Sequence, residues 1–188
     1  MANRATVVMD GQSMPIALSP ADFEVSGGYV TLNKTYGGYF NNTSSLTSSN
    51  ATSSYVIPFP NTIISDGVSI TSGSRITVDT AGTYNLQWSA QLINTDTSSE
   101  HNISMWVAVT GSSLSDSRSR VTIPKKHAGT DGSAILSLNV FLNLTANQYA
   151  ELLWYTDQPT YCSINTIPSG TGPTRPASPA VIATITRI

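Results

Sequence analysis

The chain has 188 residues, of which 39% are hydrophobic and only 11% charged, with a net charge of -2 and one cysteine. That length favours one domain, or one domain with an appendage. The charge balance, with no basic cluster, argues against nucleic acid or an anionic membrane as the main partner. No run approaches the roughly 20 apolar residues of a membrane helix, and the single Cys162 excludes an intrachain disulfide. Ser, Thr, Asn and Gly fill the space that charge leaves. Such a neutral, hydroxyl- and amide-rich surface gives little electrostatic solubility and is compatible with close packing of many copies.

Residues 1 to about 40 hold short extended pieces, Ala5 to Met9 and Tyr29 to Leu32, broken by Gly11, Pro15, Pro20 and the Gly27-Gly28 pair. The N-terminal decade lacks the apolar core of a secretion signal, so synthesis and retention in a cytoplasm are expected. Residues 41–54 are a low-complexity Asn/Ser/Thr stretch, too polar to bury anything, and read as a linker or a surface-hugging loop. The expected organisation is therefore an N-terminal arm and linker over residues 1–54 and a folded domain over residues 55–188.

From Tyr55 onward strands follow at short intervals. Val68 to Thr71 and Arg75 to Val78 flank a turn at Ser72-Gly73. Gly82 to Leu92 comes next, with Tyr84, Leu86, Trp88, Ala90 and Leu92 on one side and Thr83, Asn85, Gln87, Ser89 and Gln91 on the other. That period of two gives one dry and one wet strand face, where a helix would scatter the same residues. Asn102 to Val109 places Ile103, Met105, Val107 and Val109 together. Arg120 to Ile123 is short. Ala134 to Leu144 turns Ala134, Leu136, Leu138, Val140, Leu142 and Leu144 inward.

Tyr149 to Thr156, Tyr161 to Ile167 and Ala180 to Ile188 complete the set. The proline- and glycine-rich run Pro168 to Pro179 reads as a loop unable to join a ladder. About nine strands and no helix signal predict an all-β, antiparallel β-sandwich or jelly roll. Roughly ten large apolar side chains, each worth about 1.5–3 kcal/mol when buried, suffice for its core. The last strand carries no polar tail and is expected to be interior or covered by another subunit.

Several strands carry apolar residues on both faces. Tyr149, Leu153 and Tyr155 oppose Leu152 and Trp154, Trp106 opposes Met105 and Val107, and Phe141 opposes Val140 and Leu142. A sandwich needs only one apolar face per sheet, so the outer faces are expected to be covered. Subunit contact is the preferred cover, against a carbohydrate-stacking site or a folded-back N-terminal arm. Trp106, Phe141, Tyr149, Leu153, Tyr155 and Ile188 are the candidate subunit-contact residues.

Ala81-Gly82-Thr83-Tyr84, leading into Leu86 and Trp88, resembles the Gly-x-Tyr strand of C1q/TNF-like trimeric jelly rolls. Leu142 to Leu152 is similar to their Leu-x-Leu, tight turn and following strand, with Asn147-Gln148 where those domains usually have Gly-Asp. A closer resemblance, covering the chain from about Tyr36 onward, is to small β-rich structural proteins of tailed bacteriophages. The residues that carry it are Ser74 to Gln87, Ser89 to Leu92, His101 to Trp106 and Arg175 to Ile182. The resemblance implies a homotrimer built on a C1q/TNF-like jelly roll with a short β-rich N-terminal arm. It also implies a virion location and, in some C1q-like trimers, calcium near the axis, although no Asp-x-Asp run marks such a site here.

Chemistry is sparse. His101 follows Glu100 and His127 precedes Asp131 by four residues, but no His-x-His, Glu-x-x-His or paired-carboxylate spacing is present, so neither catalysis, a metal nor a cofactor is expected. Solvated loops account for both histidines, turn chemistry for the scattered aspartates, and burial for an inert Cys162. The expected function is structural: a homotrimeric capsid decoration protein, made in the host cytoplasm, that binds the major capsid protein on the outer surface of a phage head and stabilises it. In that reading Val7, Val8, Met9, Met14 and Ile16 of the arm are the candidate capsid-attachment residues. The alternative is the adhesion module of a tail fibre or spike tip, binding host-surface glycan or protein.

Overall fold

The structure, a computed structural model, describes residues 34–188 throughout and four short strands in the segment before them. Residues 1–34 and 35–188 form two compact units. In the first, β1 (Thr6–Met9) pairs antiparallel with β2 (Gln12–Pro15), and β3 (Phe23–Ser26) with β4 (Tyr29–Leu32). Val7, Val8 and Met9 fall on β1 and Met14 on β2, where Val7 is the register partner of Met14. Ile16, and the side chains of those four, lie outside the described residues.

The second unit holds sixteen strands: β5 (Tyr36–Asn41), β6 (Ser45–Thr47), β7 (Tyr55–Val56), β8 (Asn61–Asp66), β9 (Val68–Thr71), β10 (Arg75–Val78), β11 (Gly82–Asn94), β12 (His101–Val109), β13 (Ser112–Ser113), β14 (Ser119–Ile123), β15 (Gly132–Leu144), β16 (Tyr149–Thr156), β17 (Cys162–Asn165), β18 (Gly170–Thr171), β19 (Thr174–Arg175) and β20 (Val181–Arg187). Apart from the small β18–β19 hairpin they form two antiparallel sheets in a sandwich-like arrangement, and no helix occurs among the described residues. Sheet 1 runs β15, β11, β20, β5, β8, with β17 and β6 continuing beside the far end of β11. Sheet 2 places β13 and β14 beside β12, followed by β16, then β10 in line with β7, then β9.

The pairing is nested. β5 pairs with β20, β10 with β16, β11 with β15 and β12 with β14. The outermost partners are thus 140 or more residues apart along the chain, while the innermost are separated only by the short β13. β20 lies inside sheet 1 between β11 and β5, as the apolar C-terminal run predicts.

The core lies between the sheets. Tyr84, Leu86, Trp88, Ala90 and Leu92 of β11, the dry face read from alternation, are all buried. They meet Ile103, Met105 and Val107 of β12 and Leu152 and Trp154 of β16 in one cluster. Where the strands must turn, the sequence supplies residues that tolerate left-handed backbone: Ser72 and Gly73 at φ 50° and 76° between β9 and β10, and Asn147 at φ 67° between β15 and β16.

Three segments differ from the sequence reading. The sandwich begins at Thr35, so it takes in β5 and β6, which composition groups with the arm and linker. Asn41 and Ser48 of the polar stretch are buried. Asn41 is satisfied there because its Nδ2 donates to Pro58 O at 2.7 Å and its Oδ1 accepts the Thr43 N–H at 2.7 Å. Finally, the Pro/Gly run 168–179 is not wholly irregular: Gly170–Thr171 and Thr174–Arg175 pair with each other, outside either main sheet.

Candidate interaction surfaces

β11 and β15 pair over thirteen residues, from Gly82 opposite Leu144 to Asn94 opposite Gly132. With the large apolar residues turned inward, the outer face of sheet 1 inherits the alternate positions. Gln87, Ser89, Ser137, Asn139, Ile182 and Thr184 line a shallow trough of about 730 Å³ there. Besides Ile182, two large and strongly exposed side chains interrupt the polar face: Ile135, 63% exposed opposite Gln91, and Phe141, 64% exposed opposite Asn85. Ile188, directly after β20, is 72% exposed and donates its N–H to Thr83 O at 3.0 Å. Among the described residues no strand pairs with the other side of β15.

The outer face of sheet 2 has a different character. β12 and β16 pair so that Trp106 stands opposite Leu153 and Ser104 opposite Tyr155. All but Ser104 are half-buried, and Ser104 is buried. Trp106 Nε1 donates to Ser113 Oγ at 3.1 Å, which ties the indole to the β12–β13 hairpin. Arg118 Nη2 donates to Ser104 Oγ at 3.2 Å, and Arg120 stands across Ser104 on β14. Ser104, Trp106, Ser113, Leu114, Arg118 and Tyr155 enclose a cleft of about 380 Å³. Further along β16, Tyr149 lies under the Arg75 guanidinium at 4.4 Å, and Arg75 pairs with Glu151 at 3.5 Å.

The six candidate contact residues therefore divide. Trp106, Tyr149, Leu153 and Tyr155 share the outer face of sheet 2, whereas Phe141 and Ile188 belong to sheet 1. Two-faced strands were visible in the sequence; which outer face each one serves was not, because nothing local shows that β15 and β16, four residues apart, enter opposite sheets.

One titratable cluster sits at an end of the sandwich. His101, the first residue of β12, directs Nε2 at Asp96 Oδ2 (2.8 Å), and its ring stacks on Tyr161 with centroids 6.2 Å apart. Asp96 Oδ1 accepts the Ser98 hydroxyl at 2.6 Å and the Ser98 N–H at 2.7 Å. These bonds, the Ser98 hydroxyl first, hold the Asp96 carboxyl well below the usual carboxylate range.

The Ser98 hydroxyl donates to the carboxylate and is not presented to the imidazole. The trio therefore clamps the loop between β11 and β12 rather than arming a nucleophile. His101 is consequently not the solvated loop residue its neighbours suggest; its side chain is only 13% exposed, and its partner is Asp96, not Glu100. His127 is exposed, and Asp131 pairs with Lys126 at 2.7 Å. Among the described residues no three His, Cys, Asp or Glu side chains are placed to hold a metal ion. Cys162 is buried, and burial pushes its thiol pKa up, which keeps it protonated and unreactive.

No protein-family model matches the chain, and no curated protein matches it either.

Proposed function

We propose that this chain is a non-enzymatic structural subunit of a tailed-phage virion: a homotrimeric, C1q/TNF-like jelly roll that decorates the outer surface of the head, binds the major capsid protein and stabilises the shell. The nested pairing of the sandwich's first strand with its last, inward to β12 with β14, is the order expected of a jelly roll. The sequence resemblance from Tyr36 onward supports the phage assignment.

The observation that carries self-association is β15. It is thirteen residues long, contains no charge and no proline, shows Ile135 and Phe141 to solvent, and has a backbone edge with which no described strand pairs. Soluble proteins blunt such an edge with charge, proline, bulges or a cover, because it recruits further strands. A neighbouring copy is the cover proposed here. A closed ring needs each subunit to offer two different surfaces inclined to one another, and back-to-back faces propagate a row instead. The subunit contact is accordingly assigned to the β15 side of sheet 1, with Phe141 and Ile188, and not to the sheet 2 face. The N-terminal unit is the proposed capsid grip.

Gold-labelled antibody on intact particles of the source virus, viewed by electron microscopy, tests the reading. Label spread over the head supports decoration. Label confined to the tail or its fibres would overturn decoration in favour of an adhesion module, and unlabelled particles would remove the virion assignment.

A further inference from the structure

The cleft on the outer face of sheet 2 combines three features that sheet packing does not explain. The first is an aromatic wall. Trp106 and Tyr155 lie diagonally across the β12–β16 pair, outward and half-buried, with Trp106 held in place by Ser113. The second is charge. Arg118 and Arg120 are both exposed; Arg118 hydrogen-bonds Ser104, and Arg120 stands opposite Ser104 in the β12–β14 register, beside the cleft.

Neither arginine forms an ion pair among the described residues, whereas Arg75 and Lys126 each have a carboxylate partner. Asp157, two residues beyond Tyr155, already accepts two bonds from Asn102, at 2.9 Å each. The third feature is size: about 380 Å³ lies within the range of small-ligand pockets.

We propose that this cleft binds an anionic carbohydrate. The indole and phenol rings pack on the apolar C–H face of a pyranose, as aromatic walls with a few placed polar groups do in ligand pockets. The Arg118 guanidinium, oriented by Ser104, presents its remaining N–H groups as a planar fork for a carboxylate or sulfate. Arg120 adds a second positive charge beside it. The ligand class follows from the pairing: a neutral sugar would leave both cations unmatched, and a simple anion would leave the aromatic wall unused. The site stands on the opposite face of the sandwich from β15 and does not depend on which part of the virion carries the chain.

Intrinsic fluorescence reads the site directly. Of the three tryptophans, Trp88 and Trp154 are buried, so Trp106 is the indole that a ligand in solvent can reach. The full-length protein is titrated with oligogalacturonate, with a sulfated galactan oligosaccharide and with a neutral gluco-oligosaccharide of equal length.

A saturable change in Trp106 emission is expected with one or both acidic sugars, and which of them binds identifies the anion. The signal should vanish in Trp106→Phe, and the affinity should fall at least tenfold in Arg118→Gln/Arg120→Gln, whose exposed side chains leave the fold intact. Equal binding of the neutral sugar, no response to either acidic sugar, or unchanged affinity in the double variant would overturn the proposal. Light scattering on the same variants adds one more arm: loss of the oligomer on Arg118→Gln/Arg120→Gln would make this face a subunit contact and would equally overturn it.

Discussion

Asp96 accepts the Ser98 hydroxyl and N–H on one oxygen and faces His101 with the other, and all of these favour its charged form. Its folded pKa lies below the unfolded value, about 3.9, so its contribution is complete above that value and is lost as pH falls below it. Tyr39 and Tyr84 set the opposite limb. Burial pushes the Tyr39 phenol up to about 12 and raises Tyr84 as well. In the unfolded chain a phenol ionises near pH 10, so stability is complete below about pH 10 and falls as pH rises beyond it, by up to about 1.4 kcal/mol per pH unit for each phenol.

Melting temperature followed from pH 2 to 12 should show both limbs. Asp96→Asn should lower it at pH 7, with the difference shrinking progressively as pH falls below about 4; Tyr39→Phe should soften the alkaline limb. Gly132 makes a purely steric demand. A Cβ there would sit 1.7 Å from the carbonyl oxygen of Pro124, a backbone atom that cannot swing aside. Gly132→Ala should cost about 3 kcal/mol, as severe overpacking does, and a urea midpoint within experimental error of the parent would contradict this.

At the scale of elements, β15 states the conflict most clearly. Leu136, Leu142 and Leu144 are buried while Ile135 and Phe141 face solvent. Phe141→Asp should leave the inward face intact and disrupt only what covers the outward one, so its expected signature is a folded monomer in light scattering. Tyr155→Asp, on the other sheet, should retain the oligomer; monomers from Tyr155 instead of Phe141 would move the subunit contact to sheet 2.

The long strands were legible because β11 alternates large apolar and polar residues, and β12, β15 and β16 each place apolar residues at every second position along one face. β5, β6 and β8 were not. β5 reads Tyr-Gly-Gly-Tyr-Phe-Asn, in which the glycine pair resembles a break, and it becomes a strand only because β20 and β8 supply backbone partners on both sides. The same limit applies to the surfaces. Alternation shows that Phe141 and Tyr155 point outward, but the Thr145–Gln148 turn carries the chain from sheet 1 to sheet 2. The Asp96–His101 clamp was hidden for a related reason, since its geometry comes from loop closure and not from a residue spacing typical of a site.

For the molecule as a whole, nested pairing makes the two ends of the sandwich mutually dependent. Tyr36 pairs with Thr186, and Ala183 of β20 lies between Tyr39 and Trp88, so sheet 1 lacks its middle strand until the last residues of the chain arrive. Such long-range pairing must overcome loop-closure entropy before it yields contacts, which slows folding. A chain ending at Pro179 should therefore fail to reach the native fold: it exposes the flanks of β5 and β11 and leaves Val181, Ala183 and Ile185 missing from the core.

Removal of residues 1–34 should have the opposite effect, because every strand pair of both sheets closes within residues 35–188. The truncated chain is expected to keep its melting temperature within a few degrees and, on the proposed function, to keep its oligomer while losing co-sedimentation with phage heads. Retained head binding would locate the capsid grip on the sandwich instead of the N-terminal unit. A collapsed melting temperature would show that the two units stabilise each other and are not separable in function.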